Sequence, residues 1–145
     1  AVTAMIDLAL HAKVDHVALV DVAVRQNLSL AYLEQLFRSL KKARLVDSVR
    51  GAKGGYRLAR DEKSISLADI LIAAGEKLNL ACGAGDTCSE VDPCLTHDIW
   101  NGLSKELLGF LDSKSLYSLA KSKHVQQLAT QQDTAQIGNI PIEVR

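Results

Sequence analysis

One stretch limits what this chain can fold into: Cys82 to His97, where all three cysteines and one of four histidines stand as C-x5-C-x5-C-x2-H. Gly83, Gly85 and Pro93 interrupt it and apolar residues are few, so most of it reads as loop without a core-forming period. A segment that cannot order itself by burial, yet gathers every thiol, is expected to be ordered by a ligand. Thiolate and imidazole donors suit zinc or iron–sulfur clusters. A structural disulfide would leave one cysteine over, and a cytosolic chain would stay reduced. Zinc would complete a tetrahedron with three thiolates and one imidazole, although five-residue gaps are wide beside the usual C-x2-C knuckle. A 2Fe–2S cluster spreads four ligands around a larger object, and a histidine in place of a cysteine raises its reduction potential. On spacing alone, zinc and cluster stand level.

At 145 residues the chain is about one domain. It holds no apolar run near membrane-span length and opens on no signal peptide, so the cytoplasm is the expected location and no membrane partner is expected. The net charge of zero conceals a segregation. Residues 1–60 carry ten Lys/Arg against five Asp/Glu, and residues 61–145 carry seven against twelve. The first half therefore has the electrostatic footprint of a polyanion binder.

Val2, Met5, Ile6, Ala9 and Leu10 fall at helical spacing, so the numbering is expected to start inside a helix. His11 and His16 read as solvated loop residues near its end. Leu19–Gln26 reads as a short helix, Asn27-Leu28-Ser29 as a turn, and Ser29 as the N-cap of a helix over Leu30–Lys42. Leu33, Leu36, Phe37 and Leu40 share one face of that helix. Tyr32, Glu34, Gln35, Arg38, Lys41 and Lys42 occupy the other. Two helices joined by a tight turn, the second with a hydrogen-bonding outer face, fit a helix-turn-helix whose second helix suits the DNA major groove, although any helical bundle also needs an amphipathic helix with a wet face. Leu45–Val49 and Tyr56–Ala59 then read as strands around Arg50-Gly51-Ala52-Lys53-Gly54-Gly55. Such a hairpin is a wing. Its tip can lay the Arg50 guanidinium, beside Lys53, into a minor groove, while its glycines admit phosphates to the backbone.

A helix is expected over Leu67–Ala74. From His97 to Leu111, Trp100, Leu103, Leu107 and Leu111 follow three-then-four spacing, and Ile99 and Phe110 widen the stripe. So wide a face points to a second subunit, with an intrachain core helix as the alternative. Gly102 and Gly109, seven apart, would let a neighbouring backbone come close. His97 lies three residues after Cys94, so a helix starting there puts both side chains on one face. Ser115 should cap a short helix through Leu119. The polar, Gln-rich remainder reads as a flexible tail.

A winged helix and a Cys3His set in one chain resemble the iron–sulfur-cluster regulator family of winged-helix transcription factors. The likeness runs from Ala1 to about Leu119, through AVTAMIDLAL, LSLAYLEQLF, SVRGAKGGY and CLTHDIW with two upstream cysteines. It implies a homodimer with a 2Fe–2S cluster on Cys82, Cys88, Cys94 and His97, supplied by the cluster assembly machinery. It also implies repression of cluster-assembly genes when loaded, with apo-protein acting at a second class of site. By motif, Tyr32, Glu34 and Gln35 would read the major groove of double-stranded DNA, with Ser29 at the helix start, and Arg50 the minor groove. The Glu34 carboxylate would accept from cytosine while repelling phosphates, penalising one class of operator until the cluster reorients it. Ala31 stands where relatives often carry a DNA-contacting serine, and the family's short basic N-terminal segment is not in the sequence.

The expected fold is therefore mainly α with a small β-hairpin: a winged helix-turn-helix, a cluster-binding loop and a long dimerisation helix. Residues 1–75 would form the DNA-binding domain, 76–97 the cluster loop, 97–122 the dimerisation helices and 123–145 a tail. No nucleophile–base pair or phosphate loop points to catalysis. The rivals are a nitric-oxide- or redox-sensing repressor of the same superfamily, a small redox carrier and a zinc-stabilised interaction module.

Overall fold

The computed structural model describes residues 1–13, 15–78, 80 and 95–138. Helices α1 (Val2–His11), α2 (Leu19–Gln26) and α3 (Leu30–Lys42) precede strands β1 (Val46–Val49) and β2 (Gly55–Leu58). A 3-10 turn at Glu62–Ser64 leads into α4 (Leu67–Ala73), and α5 (His97–Asp112), α6 (Leu116–Ala120) and α7 (Lys123–Gly138) follow.

Local chemistry sets these boundaries. At the end of α2, Asn27 takes a left-handed conformation (φ 50°) and its N–H turns back to the Ala23 and Val24 carbonyls. The next helix begins two residues on, where the Ser29 hydroxyl accepts from the Tyr32 N–H at 3.1 Å. A reciprocal pair of bonds between Ser66 and Asp69 starts α4, and Ser115 caps α6.

Leu33, Leu36, Phe37 and Leu40, three and four residues apart, are all buried. They meet Met5, Leu8, Val22, Leu45, Val46, Ile65, Ile70 and Leu116 in one core. Burying side chains of this size stabilises the fold by about 1.5–3 kcal/mol each. The Phe37 ring meets Tyr56 of β2 edge-on at 4.9 Å between centroids, which seats the hairpin against α3. Farther along, the Leu67 N–H donates to the Lys114 carbonyl and the Leu116 N–H to the Ile65 carbonyl, both at 2.8 Å. These bonds fasten the C-terminal end of α5 to the winged helix.

The hairpin register runs Val46 to Leu58 through Val49 to Gly55. It is joined by a residue from outside the wing. Val17 exchanges two 2.8 Å hydrogen bonds with Tyr56, lending the edge of β2 a third, one-residue strand.

Three expectations require correction. His11 is no solvated loop residue: it ends α1, with Nδ1 2.8 Å from the Asp7 carbonyl and Nε2 3.2 Å from Asp133 Oδ1. His16 is equally engaged, its ring held between Asp15 and the Lys53 carbonyl. The tail expected over 123–145 is helical from Lys123 to Gly138. Its alanines and glutamines are good helix formers, and Val125, Leu128, Ala129 and Gln132 recur at spacings of three and one. That face lies over α1 and α2, where Gln132 meets Gln26 at 3.0 Å. Among the described residues, no helix is long and apolar enough to cross a membrane.

Candidate nucleic-acid interface and ligand loop

The buried row of α3 leaves Ala31, Tyr32, Glu34, Gln35, Arg38, Ser39, Lys41 and Lys42 exposed. Tyr32, Glu34 and Gln35 thus stand on the open side of the second helix of the helix-turn-helix. Ser29 is exposed too, but its hydroxyl is already an N-cap acceptor, so its first duty is to start the helix. Lys41 Nζ donates to Ser48 Oγ at 2.5 Å, tying the last turn of α3 to β1.

At the wing tip Arg50, Gly51, Ala52 and Lys53 are all exposed. The Gly54 N–H closes the turn onto the Gly51 carbonyl at 2.9 Å, and Gly51 has φ +130°, a conformation that disfavours any side chain. The other two glycines have a different reason from the one the sequence suggests. A Cβ on Gly54 would lie 2.6 Å from the Val49 carbonyl oxygen, and one on Gly55 would lie 2.4 Å from that of Val17. Their missing side chains make room for the protein's own backbone, not for a phosphate.

Behind the helix-turn-helix lies a buried ion pair that pattern reading missed. Asp7, 1 % exposed, receives Arg25 Nε at 2.9 Å, Arg25 Nη2 at 2.7 Å and Gln26 Nε2 at 2.7 Å. The hydrogen bond to Asp7 pushes the Arg25 pKa up, against the opposing effect of burial. The signal was present in the sequence, since a lone carboxylate inside the apolar run of α1 must find a partner.

Cys82, Cys88 and Cys94 lie outside the described residues. His97 lies within them as the first, partly buried residue of α5. On the other side of the cysteine segment, the Leu80 N–H donates to Ser104 Oγ at 2.8 Å, and Ser104 Oγ bonds in turn to the Trp100 carbonyl. Both flanks of residues 81–94 therefore meet α5, separated by the seven residues from His97 to Ser104, about 10 Å along a helix axis. Among the described residues, no cluster of three metal-ligating side chains forms, so any such set must draw on the cysteine segment.

The α5 stripe divides. Leu111 and Ser104 are buried, whereas Ile99, Trp100, Leu103, Leu108 and Phe110 remain exposed. A Cβ on Gly102 or Gly109 would meet nothing within 4 Å, so the close approach expected there is not made within the chain.

Comparison with known proteins agrees with this architecture. Residues 1–122 match the profile of the Rrf2 family, described as an iron-dependent transcriptional regulator. The HTH-type transcriptional regulator IscR of Photorhabdus laumondii is 45% identical over 92% of this chain and 82% of its own length. Among solved structures, T. potens IscR superposes with a TM-score of 0.65 at 40% identity, covering 83% of this chain and 80% of that one. CymR, the global cysteine regulator of B. subtilis, superposes with a TM-score of 0.67 at 31% identity, covering 81% and 88%.

Proposed function

The chain belongs to the Rrf2 family of DNA-binding transcriptional regulators, and from that premise we propose that it is a cytoplasmic homodimeric repressor whose operator choice depends on a 2Fe–2S cluster. It is a regulator and not an enzyme. In this proposal residues 1–75 bind DNA, 76–97 hold the cluster and 97–122 pair the subunits, and the cluster assembly machinery supplies the cluster.

One observation carries the reading: both flanks of the cysteine segment meet α5, through His97 at its start and through the Leu80–Ser104 bond. Three thiolates from Cys82, Cys88 and Cys94, with the His97 imidazole, form a four-donor set whose chemistry fits the cluster. When bound, the cluster supplies a redox-active occupant that can be gained or lost. Cysteine ligands and His97 would then fix the segment against the first turns of α5. The other end of that helix is bonded to the winged helix through Lys114 and Leu116, so its placement would reach α3. The exposed Ile99, Trp100, Leu103 and Phe110, with open space beside Gly102 and Gly109, fit a second copy pairing along α5. Pairing there would set the separation of two recognition helices on the duplex.

Visible absorption of anaerobically purified protein, followed by gel shift with and without cluster, tests this. Wild type should be coloured, and Cys82→Ser, Cys88→Ser or Cys94→Ser should each lose the colour and change promoter choice. Colour and promoter choice both surviving those substitutions would overturn the proposal; colourless protein containing zinc would favour the interaction module. His97→Cys separates the nitric-oxide-type rival, because an imidazole ligand imposes a higher reduction potential than a fourth thiolate. On the DNA side, Glu34→Ala should admit the class of operator that the carboxylate excludes from apo-protein, read by the same gel shifts. Operator choice still fully dependent on the cluster in that variant would remove Glu34 from the mechanism.

A further inference from the structure

We propose that the cleft between α1 and α7 is a binding site for a small uncharged aromatic molecule carrying one hydroxyl or carbonyl group. Polar ties hold α7 to the rest of the fold. Near its start, Gln126 Nε2 donates to the Ala120 carbonyl at 2.6 Å. Two turns later Gln132 meets Gln26, and Asp133 Oδ1 lies 3.2 Å from His11 Nε2. Beside these ties, Ile6 and Leu10 of α1 face Val125, Leu128 and Ala129 of α7 across a cleft of about 190 Å³. The family profile ends at residue 122, so the α7 wall lies outside the matched segment.

The lining selects the occupant. Its walls are mostly aliphatic, whereas a resident water needs two to four polar partners. An apolar cavity of about 150 Å³ holds benzene, so this one admits a single aromatic ring with a small substituent. Polar groups gather where Asp7, Gln26 and Gln132 meet. Gln26 Nε2 spends its two hydrogens on Asp7 Oδ2 at 2.7 Å and Gln132 Oε1 at 3.0 Å. Gln132 Nε2 gives one hydrogen to Gln26 Oε1 at 3.4 Å, and its second has no acceptor among the described residues. The Thr3 hydroxyl, one turn of α1 before Asp7, is a further donor on the lining. An oxygen on the ligand would accept from these groups.

Charge is excluded on both signs. No lysine, arginine or histidine lines the cleft, and the Asp7 carboxylate on its wall would repel an anion. A cation gains nothing, because Asp7 is already neutralised by two bonds from Arg25. The site shares no residue with the exposed face of α3, the wing tip or the cysteine segment, so its test stands apart from the regulator reading.

Benzyl alcohol is the probe, titrated into the full chain and followed by nuclear magnetic resonance. The Ile6, Leu10, Val125 and Leu128 methyl signals should shift together and saturate, with a dissociation constant of about 1 mM or tighter. Toluene, which lacks the oxygen, should bind about fivefold more weakly, the equivalent of one hydrogen bond, and benzoate more weakly still. A ligand bridging both walls favours the docked helix. Exchange of the α7 amides that open by undocking should therefore slow about tenfold when ligand stands at about ten times its dissociation constant. Ala129→Phe, which fills the cleft from α7, should abolish the shifts; Val125→Phe, one turn earlier on the same face, is the second blocking variant. Shifts that fail to saturate by about 10 mM, or that persist in both variants, overturn the site. Toluene or benzoate binding as tightly as benzyl alcohol overturns the chemistry assigned to it.

Discussion

Arg25→Ala is expected to destabilise the protein by about 3–5 kcal/mol, a large share of the roughly 5–15 kcal/mol that holds a small domain together. The reason is the partner left behind. The Asp7 side chain is 0% exposed and two of its three side-chain donors at hydrogen-bond distance come from Arg25, whose own side chain is 9% exposed. Without the guanidinium, a carboxylate would remain deep between α1 and α2 with the Gln26 amide and the nearby His11 ring, 3.5 Å away, as its remaining neighbours. Gln26→Ala removes a single donor to a charged acceptor and should cost about 1.5–3 kcal/mol. The double substitution Asp7→Leu with Arg25→Met should recover most of the loss, because an apolar pair of similar volume carries no desolvation penalty. Urea unfolding of the three variants measures these differences. An Arg25→Ala loss no greater than that of Gln26→Ala would mean that the ion pair does not matter as described.

Gly55→Ala comes second, at about 2–3 kcal/mol. The added methyl would fall 2.4 Å from the Val17 carbonyl oxygen and 2.6 Å from its carbon, both main-chain atoms that cannot rotate away. Relief requires β2 to part from Val17, breaking the two hydrogen bonds with Tyr56 and disturbing the Tyr56–Phe37 ring contact. Thermal unfolding gives the size of the effect, and faster hydrogen exchange at the Val17 and Tyr56 amides gives its location. Unchanged exchange at both amides would refute the account.

Where local chemistry and periodicity coincide, the fold was legible in the sequence. Asn27 and Ser29 mark the corner between α2 and α3, and the row Leu33, Leu36, Phe37 and Leu40 identifies the inner face of α3 with no need of tertiary information. The start of α5 at His97 was readable from its stripe. What escaped was tertiary. Val17 pairs as a single residue, too short to show an alternating pattern, and the His16 contact spans thirty-seven positions. Helix α7 was hidden by composition: its polar residues resemble those of a tail, although the face bearing Gln132 and Asp133 is set against Gln26 and His11. For the candidate site, the exposed positions of Tyr32, Glu34, Gln35, Arg50 and Lys53 followed from the pattern, whereas the double duty of Ser29 and the true reason for Gly54 and Gly55 required coordinates.

The pairing of Val17 with Tyr56 also bears on how safely such a protein can be concentrated. An open strand flank is a template on which foreign extended segments can grow, and two-stranded ribbons are prone to it. Here Val17 occupies hydrogen-bonding groups that β2 would otherwise offer to the solvent, and Gly55 leaves no side chain to hold it off. On that flank the Tyr56 main-chain groups are taken up by the polypeptide itself, which should blunt recruitment of a foreign strand there.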